Sequence, residues 1–537
     1  MNPKKIWPLC FGLFLLVALY LPHLNSPFLW DDVGTIVLNH TIDHPIPLTS
    51  FFKPIYFSFS GESSWRPLAT LSYVEMIRFS GKSPVAMRSV QFVAHILIGL
   101  MLAVFMVSCG FPVLASAWAA ALFWVQPAHV ETLMCVSFNE EILVALGLLF
   151  FLWFHRRGQP LLAALGLIWA FLSKETAIVG LPLIVANDFF SDKKIKEKLF
   201  SYALYALIAG SYLFLYFGYL KGPGPSGQPI SLPLGQRFFF ALSGFETAIR
   251  IFVLPIRLRI EYFALPAMSF KEWGLKMTVA LGLCVAWVYA AVHFWRTNNK
   301  LAIFFLLWPL GFLALTSNLF PVTVLNTRLL AERWLYLPYL GLAALLGIWI
   351  DRRPWLGLMV LLFWSALSWM RLEDWRTGEK LWSSLLKIDP WCAKAWEGLG
   401  ESEFNAGRYP IAIQDFDQAL ALRQTRTDRV LAYYTPLDSS GFLRWENPIL
   451  YRWLGRTDVA LGHLNRADSE FLKASRLDPL DGYTYDIMAY QWAAKGDWRK
   501  SEEWLKRGLS ALPKESFLLR LKPDVEQKRL SFQSKFY

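Results

Sequence analysis

The chain has 537 residues, of which 55% are hydrophobic and only 18% charged, with 25 Trp and 42 Phe. That balance excludes an ordinary soluble domain of this length and points to an integral membrane protein. The formal charge of +12 does not imply nucleic acid, because Lys and Arg cluster in short loops between apolar runs, as they do in cytoplasmic loops.

The amino terminus reads Met1-Asn2-Pro3-Lys4-Lys5 and continues as an apolar run from Ile6 to Leu21. No small-x-small cleavage site follows, so it reads as an uncleaved signal anchor with its basic end inside. Just beyond it lie Asp31 and Asp32, in Phe28-Leu29-Trp30-Asp31-Asp32. A carboxylate pair at the outer membrane surface, beside an aromatic anchor, stands where a lipid-borne substrate presents its head group. Asp31 and Asp32 are therefore the candidate catalytic residues; the alternative is a solvated loop end. The outside segment 22–88 also holds Ser64-Trp65-Arg66-Pro67-Leu68 and is too short for a domain, so it is expected to lie on the membrane as amphipathic helices.

Further apolar runs lie near 89–108, 112–126, 138–154, 160–172, 176–190, 199–220, 276–295, 301–317, 334–350 and 354–370. With the first run they predict about eleven crossings, some of them partial. Threaded from a cytoplasmic start, they put Arg156-Arg157, Lys193-Lys194-Ile195-Lys196, Arg296 with Lys300, and Arg352-Arg353 on the cytoplasmic side. This requires 237–255 to be re-entrant or surface-lying. Arg157 and Lys193 are only 36 residues apart, about 54 Å as helix against about 60 Å for two crossings. The tip Ser173-Lys174-Glu175 is therefore expected below the outer surface, where Lys174 and Glu175 should face each other or a wet cavity. Other outside-facing polar groups are His129 with Glu131, Asn139-Glu140-Glu141, Asn318, and Glu332 with Arg333. His129 and Glu131 are too few for a metal site, and a hydrogen-bonded pair is the better reading. The Gly222–Gly227 loop lacks phosphate-loop spacing. The five cysteines, Cys10, Cys109, Cys135, Cys284 and Cys392, form no disulfide or metal pattern.

From about Gly378 the composition becomes that of a soluble helical region. Asp389-Pro390, Asp478-Pro479 and Leu512-Pro513 close helical segments, and Pro479 and Pro513 are 34 residues apart, the tetratricopeptide period. Trp396-Glu397-Gly398-Leu399-Gly400 and Gly496-Asp497-Trp498 fit that repeat. The expected organisation is a membrane domain over 1–370, repeats over 371–520 with an insertion near 423–445, and a tail over 521–537. The fold class is thus all-α: a polytopic helical bundle followed by an α-solenoid, whose surface suits peptides or proteins.

Trp30-Asp31-Asp32, Arg66-Pro67-Leu68, His129-Val130-Glu131, Leu172-Ser173-Lys174-Glu175, Ser317-Asn318 and Ala331-Glu332-Arg333-Trp334-Leu335-Tyr336-Leu337-Pro338, ending in repeats, together resemble the transmembrane and tetratricopeptide-repeat-containing O-mannosyltransferases. These are polyprenyl-phosphate-dependent glycosyltransferases of the GT-C class. The chain departs from them at Gln126-Pro127, where the family commonly has His-Pro, and at Phe138-Asn139-Glu140-Glu141, where it often has Gly-Arg-x-Asp.

The resemblance implies transfer of a hexose from a polyprenyl-phosphate donor to a hydroxyl, with inversion. A carboxylate takes the acceptor's proton and cations stabilise the leaving phosphate. Asp31 or Asp32 supplies the base. Arg333 is the first choice for the phosphate, with Lys174 and Arg66 as helpers and Glu175, Glu332, His129 and Glu131 completing the binding set. No cofactor is demanded; a divalent cation on Asp31 and Asp32 stays open. The expected partners are the lipid-linked sugar, membrane lipids and a protein or peptide acceptor at the repeats, which are expected on the periplasmic or lumenal side. The rival readings are a membrane scaffold recruiting partners through its repeats and a lipid-linked sugar transporter.

Overall fold

The computed structural model describes residues 5–62, 64–191, 195–220, 234–263, 270–317, 319, 328–430, 447–513 and 515–531. The chain divides into two compact units, Met1–Thr377 and Gly378–Tyr537.

Among the described residues the first unit is helical apart from one antiparallel pairing, Glu261–Phe263 with Arg328–Ala331. Proline sets several helix starts: Pro67–Ser80, Pro84–Ser108, Pro160–Ser173 and Pro354–Asp374 all begin on it. Its fixed φ and missing N–H carry no penalty at that position. Among the described residues six helices are long and apolar enough to cross a membrane: Pro84–Ser108, Val136–Arg156, Lys196–Leu220, Gly274–Arg296, Glu332–Ile350 and Pro354–Asp374. Val113–Trp124 and Pro127–Met134, bent by 50°, make a seventh if taken as one span. The protein is therefore multi-pass. The expected eleven crossings exceed this number because other apolar runs fold as shorter helices, Trp7–His23, Pro160–Ser173 and Lys300–Thr316 among them. A helix of 14 residues such as Pro160–Ser173 reaches only about 21 Å.

The stretch 237–255 falls largely within the helix Leu234–Val253, which is not among the six. Lys193, Lys194, Asn318 and the Gly222–Gly227 loop lie outside the described residues.

One helical hairpin sets the geometry of the site. Asn139–Arg156 and Pro160–Ser173 are joined by a turn in which Gly158 takes φ +71°. A Cβ added to Gly147 would stand 2.9 Å from the Gly166 oxygen, and one added to Gly166 would stand 2.7 Å from the Phe151 nitrogen. The two backbones thus touch where both helices carry glycine, as small residues allow inside membranes. This close packing returns Lys174, just past the second helix, to Glu140 and Glu141 at the start of the first.

Among the described residues the second unit contains three helix pairs: Ala393–Asn405 with Tyr409–Val430, Pro448–Ala460 with Leu464–Leu477, and Gly482–Ala494 with Trp498–Ala511. Gly378–Ile388 precedes them and Ser516–Glu526 follows. Each pair turns on a glycine at positive φ, Gly407 at +76°, Gly462 at +79° and Gly496 at +83°, a conformation that side chains with a Cβ resist. Phe404, Phe416, Leu450 and Leu454 form one buried cluster, and Phe471, Tyr485, Trp504 and Leu518 belong to another. Most of the expected insertion, residues 431–446, lies outside the described residues, as do 532–537 of the tail.

Candidate active site

The two aspartates have opposite environments. Asp32 is fully buried and accepts hydrogen bonds from the backbone N–H of Val136 at 3.0 Å, the backbone N–H of Ser137 at 2.7 Å and the Cys135 thiol at 3.3 Å. Behind it stands Arg88, a buried cation in the first turns of Pro84–Ser108, which donates to the carbonyls of Leu24, Ser26, Pro27 and Met134. Burial pushes the Asp32 carboxyl up, while the Arg88 charge and the three hydrogen bonds pull it down. Asp31 is exposed. The residue before it explains the split: Trp30 holds a left-handed backbone, φ +54°, uncommon for a bulky side chain and recurrent at functional sites.

Trp30 also joins Asp31 to a buried cation. The Arg333 guanidinium lies 5.0 Å from the centre of the Trp30 ring and 4.5 Å from that of Phe138, with the two rings edge to face at 5.3 Å. Arg333 Nη1 donates to Glu131 Oε1 at 2.6 Å. Glu332 does not serve Arg333: it accepts from Arg371 Nη2 and from the Tyr262 hydroxyl, both at 3.1 Å. Arg371 also reaches Asp374 with Nη1 at 3.5 Å, so two guanidiniums meet three carboxylates, Glu131, Glu332 and Asp374. His129 is not the hydrogen-bonding partner of Glu131 expected from the sequence. Its Nδ1 lies 2.9 Å from the Phe123 carbonyl, and its ring sits among Phe123, His95 and Tyr336.

Lys174, Arg66 and Glu175 form a second cluster. Arg66 grips Glu175 with Nε at 3.2 Å and Nη2 at 2.9 Å, and reaches Glu140 with Nη1 at 3.1 Å. Lys174 turns from its neighbour Glu175 to Glu140 and Glu141, so the expected self-neutralising Lys174–Glu175 pair is replaced by a network across three helices. Glu62 adds a carboxyl that burial pushes up to about 8, as suits a site where acids outnumber cations.

Both clusters hang on one segment, Cys135–Glu141. Its backbone holds Asp32, Phe138 lies against Arg333, and Glu140 with Glu141 holds Arg66 and Lys174. Sequence reasoning passed over Arg88, Phe138, Tyr262 and Arg371. The available signal for Arg88 was a charge at the very edge of the apolar run 89–108. Among the described residues no group of three or more His, Cys, Asp or Glu is set to hold a metal ion. Both Asp32 oxygens accept from backbone N–H donors.

No protein-family model matches the chain. It is distantly homologous to protein O-mannosyl-transferases. It is 22% identical to one from Caenorhabditis elegans over 438 residues, covering 76% of this chain and 62% of that protein. Protein O-mannosyl-transferase TMTC1 of Homo sapiens is 24% identical over 478 residues, 74% of this chain and 53% of its own length. Protein O-mannosyl-transferase TMTC4 of Homo sapiens is 25% identical over 477 residues, 73% and 63% respectively. The chain thus spans between 53% and 63% of the length of these relatives.

Proposed function

We propose that this distant homologue of the protein O-mannosyl-transferases is a membrane glycosyltransferase that moves a hexose, mannose by likeness to those relatives, from a polyprenyl phosphate to a Ser or Thr hydroxyl of a protein. The observation that carries the reading is the division of labour between adjacent carboxylates: Asp32 is anchored in a backbone cradle, and Asp31 is held open beside the Trp30–Arg333 stack.

In this reading Asp31 takes the proton from the acceptor hydroxyl, whose oxygen attacks the anomeric carbon. The bond from that carbon to the phosphate oxygen breaks with its electron pair going to the phosphate, and the anomeric centre inverts. The products are the glycosylated hydroxyl, polyprenyl phosphate and a proton on Asp31. Arg333, its plane fixed by two rings and by Glu131, steadies the developing phosphate charge. Arg66 and Lys174, paired with carboxylates as Arg333 is with Glu131, fix the segment that carries the site and stand as helpers at the phosphate. The eleven-crossing GT-C arrangement, an outward-facing site and a tetratricopeptide solenoid that receives the acceptor complete the proposal; the three helix pairs with their shared glycine turns support the last.

The test is transfer of radiolabelled mannose from polyprenyl-phosphate mannose to a Ser/Thr-containing protein acceptor by the purified full chain in lipid nanodiscs. Wild type transfers label, and Asp31→Asn abolishes transfer with an unchanged thermal midpoint, because an exposed carboxylate holds no fold together. Near-normal transfer by Asp31→Asn would remove the base from the mechanism.

A further inference from the structure

Among the described residues of the second unit, Arg456 forms no ion pair. On one face of Pro448–Ala460 lie Arg452 and Arg456, one helical turn apart. Arg452 is satisfied, its Nη1 donating to Asp481 at 3.0 Å. Arg456 is not. Its guanidinium lies 4.2 Å from the Trp453 ring centre, 4.8 Å from Phe404 and 5.5 Å from Tyr483, and its buried Nε–H meets no acceptor. Glu401 is near enough to act on its charge, yet forms no ion pair with it. Glu397, also on Ala393–Asn405, is taken by Arg423.

Buried donors are almost always satisfied, so the Arg456 Nε–H calls for an explanation, and a docked carboxylate supplies one. The aromatic surroundings narrow what that partner is. Three ring centres stand within 4.2–5.5 Å of the guanidinium, and a guanidinium N–H fork matches a carboxylate with two parallel hydrogen bonds. Phe404, Arg456 and Tyr483 belong to the first helices of three successive pairs, and Arg456, Trp453 and Tyr483 are all partly exposed. Helices packed about 8–10 Å apart make such a face about 20 Å wide, which about six extended residues would cross.

We propose that Arg456 is the anchor of an acidic polypeptide segment that docks on this face and presents an Asp or Glu carboxylate to the ring-caged guanidinium. This names a partner chemistry for the acceptor surface and rests on the transferase reading only in calling that partner an acceptor; docking itself needs no donor lipid. The probe is a fluorescein-labelled peptide of alternating Ser and Asp, compared with its Ser and Asn counterpart, binding to the full chain in nanodiscs without lipid-linked sugar. Wild type binds the acidic peptide about ten- to hundredfold more tightly. Arg456→Met, which keeps the stem among the rings, erases that preference, and Arg456→Lys restores part of it. Equal affinity for both peptides, or a preference that survives Arg456→Met, overturns the proposal. Should the variants unfold, mass spectrometry of phenylglyoxal-treated wild type decides: the acidic peptide protects Arg456 from modification, and absence of protection overturns the proposal. Loss of mannosyl transfer with peptide binding intact would count against the transferase reading alone.

Discussion

Asp31 and Asp32 share a peptide bond and little else. Asp32→Asn keeps the size but sets an amide N–H₂ against the Val136 or Ser137 N–H and removes the charge facing Arg88. Leaving such a buried donor unsatisfied costs about 1–3 kcal/mol. This variant is therefore expected to lose thermal stability and transfer together, whereas Asp31→Asn loses transfer alone. Intrinsic tryptophan fluorescence on heating separates the two, and an Asp32→Asn protein as stable as wild type would sink the cradle. Arg333 calls for a subtler design, because Arg333→Ala also strands Glu131 in a buried site. Pairing it with Glu131→Gln relieves the stranded charge, so the double variant should regain stability but not rate. The expected loss, about 2.7–4 kcal/mol or a hundred- to a thousandfold per folded molecule, should be only partly recovered by Arg333→Lys. Recovery of rate along with stability in the double variant would make Arg333 a structural residue. The carboxylate pair could be picked out from sequence because charges beside an apolar run stand out. The cradle could not: it is made of backbone amides about a hundred residues away, and a backbone amide has no letter.

At the scale of elements, the segment Cys135–Glu141 ties the site to the hairpin, and its strength lies in the carboxylates that Arg66 and Lys174 hold. Burial works to raise the Glu175 carboxyl, but the Arg66 charge and hydrogen bonds outweigh it and hold it down at about 2. A folded-state value below the ordinary 4.5 means that ionised Glu175 contributes stability above that pH and loses it as pH falls toward 2. The thermal midpoint of wild type should therefore fall more steeply between those limits than that of Glu175→Gln, read by scanning fluorimetry across pH. Parallel curves would show the Arg66–Glu175 pair to be inert. Sequence spacing set Lys174 and Glu175 at a hairpin tip facing each other or a wet cavity; their observed partners depend instead on Gly147 meeting Gly166, a contact that hydropathy does not encode. The same limit explains His129 and Glu131: a separation of two residues suggests a pair, while the bend near Pro127 sends one into an aromatic cluster and the other to Arg333.

Across the whole molecule, apolar runs were legible as helices because hydropathy is a local property, whereas the number of full crossings depends on where each helix breaks. Contacts within the first unit nonetheless divide helix ends into two groups. Arg88, Glu140, Lys174, Glu332 and Arg371 gather with Asp32 and Arg333, while His155 pairs with Asp188, and Cys109, Phe190 and Asn299 line one cleft of about 480 Å³. Pro84–Ser108 runs from Arg88 to the edge of that cleft; its 25 residues reach about 37 Å, a full bilayer core. The basic Arg156, Arg157 and Lys300 belong to the second group, and cytoplasmic loops are the ones enriched in Lys and Arg. The site with Asp31 should therefore face outward, as should the second unit if all eleven runs cross. A reporter active only in the cytoplasm, inserted at Gly158, should be active; the same reporter fused after Tyr537 should be silent. Activity at both positions would break the eleven-crossing parity while leaving the outward site standing, and silence at Gly158 would invert the membrane unit and remove the site from the face on which this reading needs it.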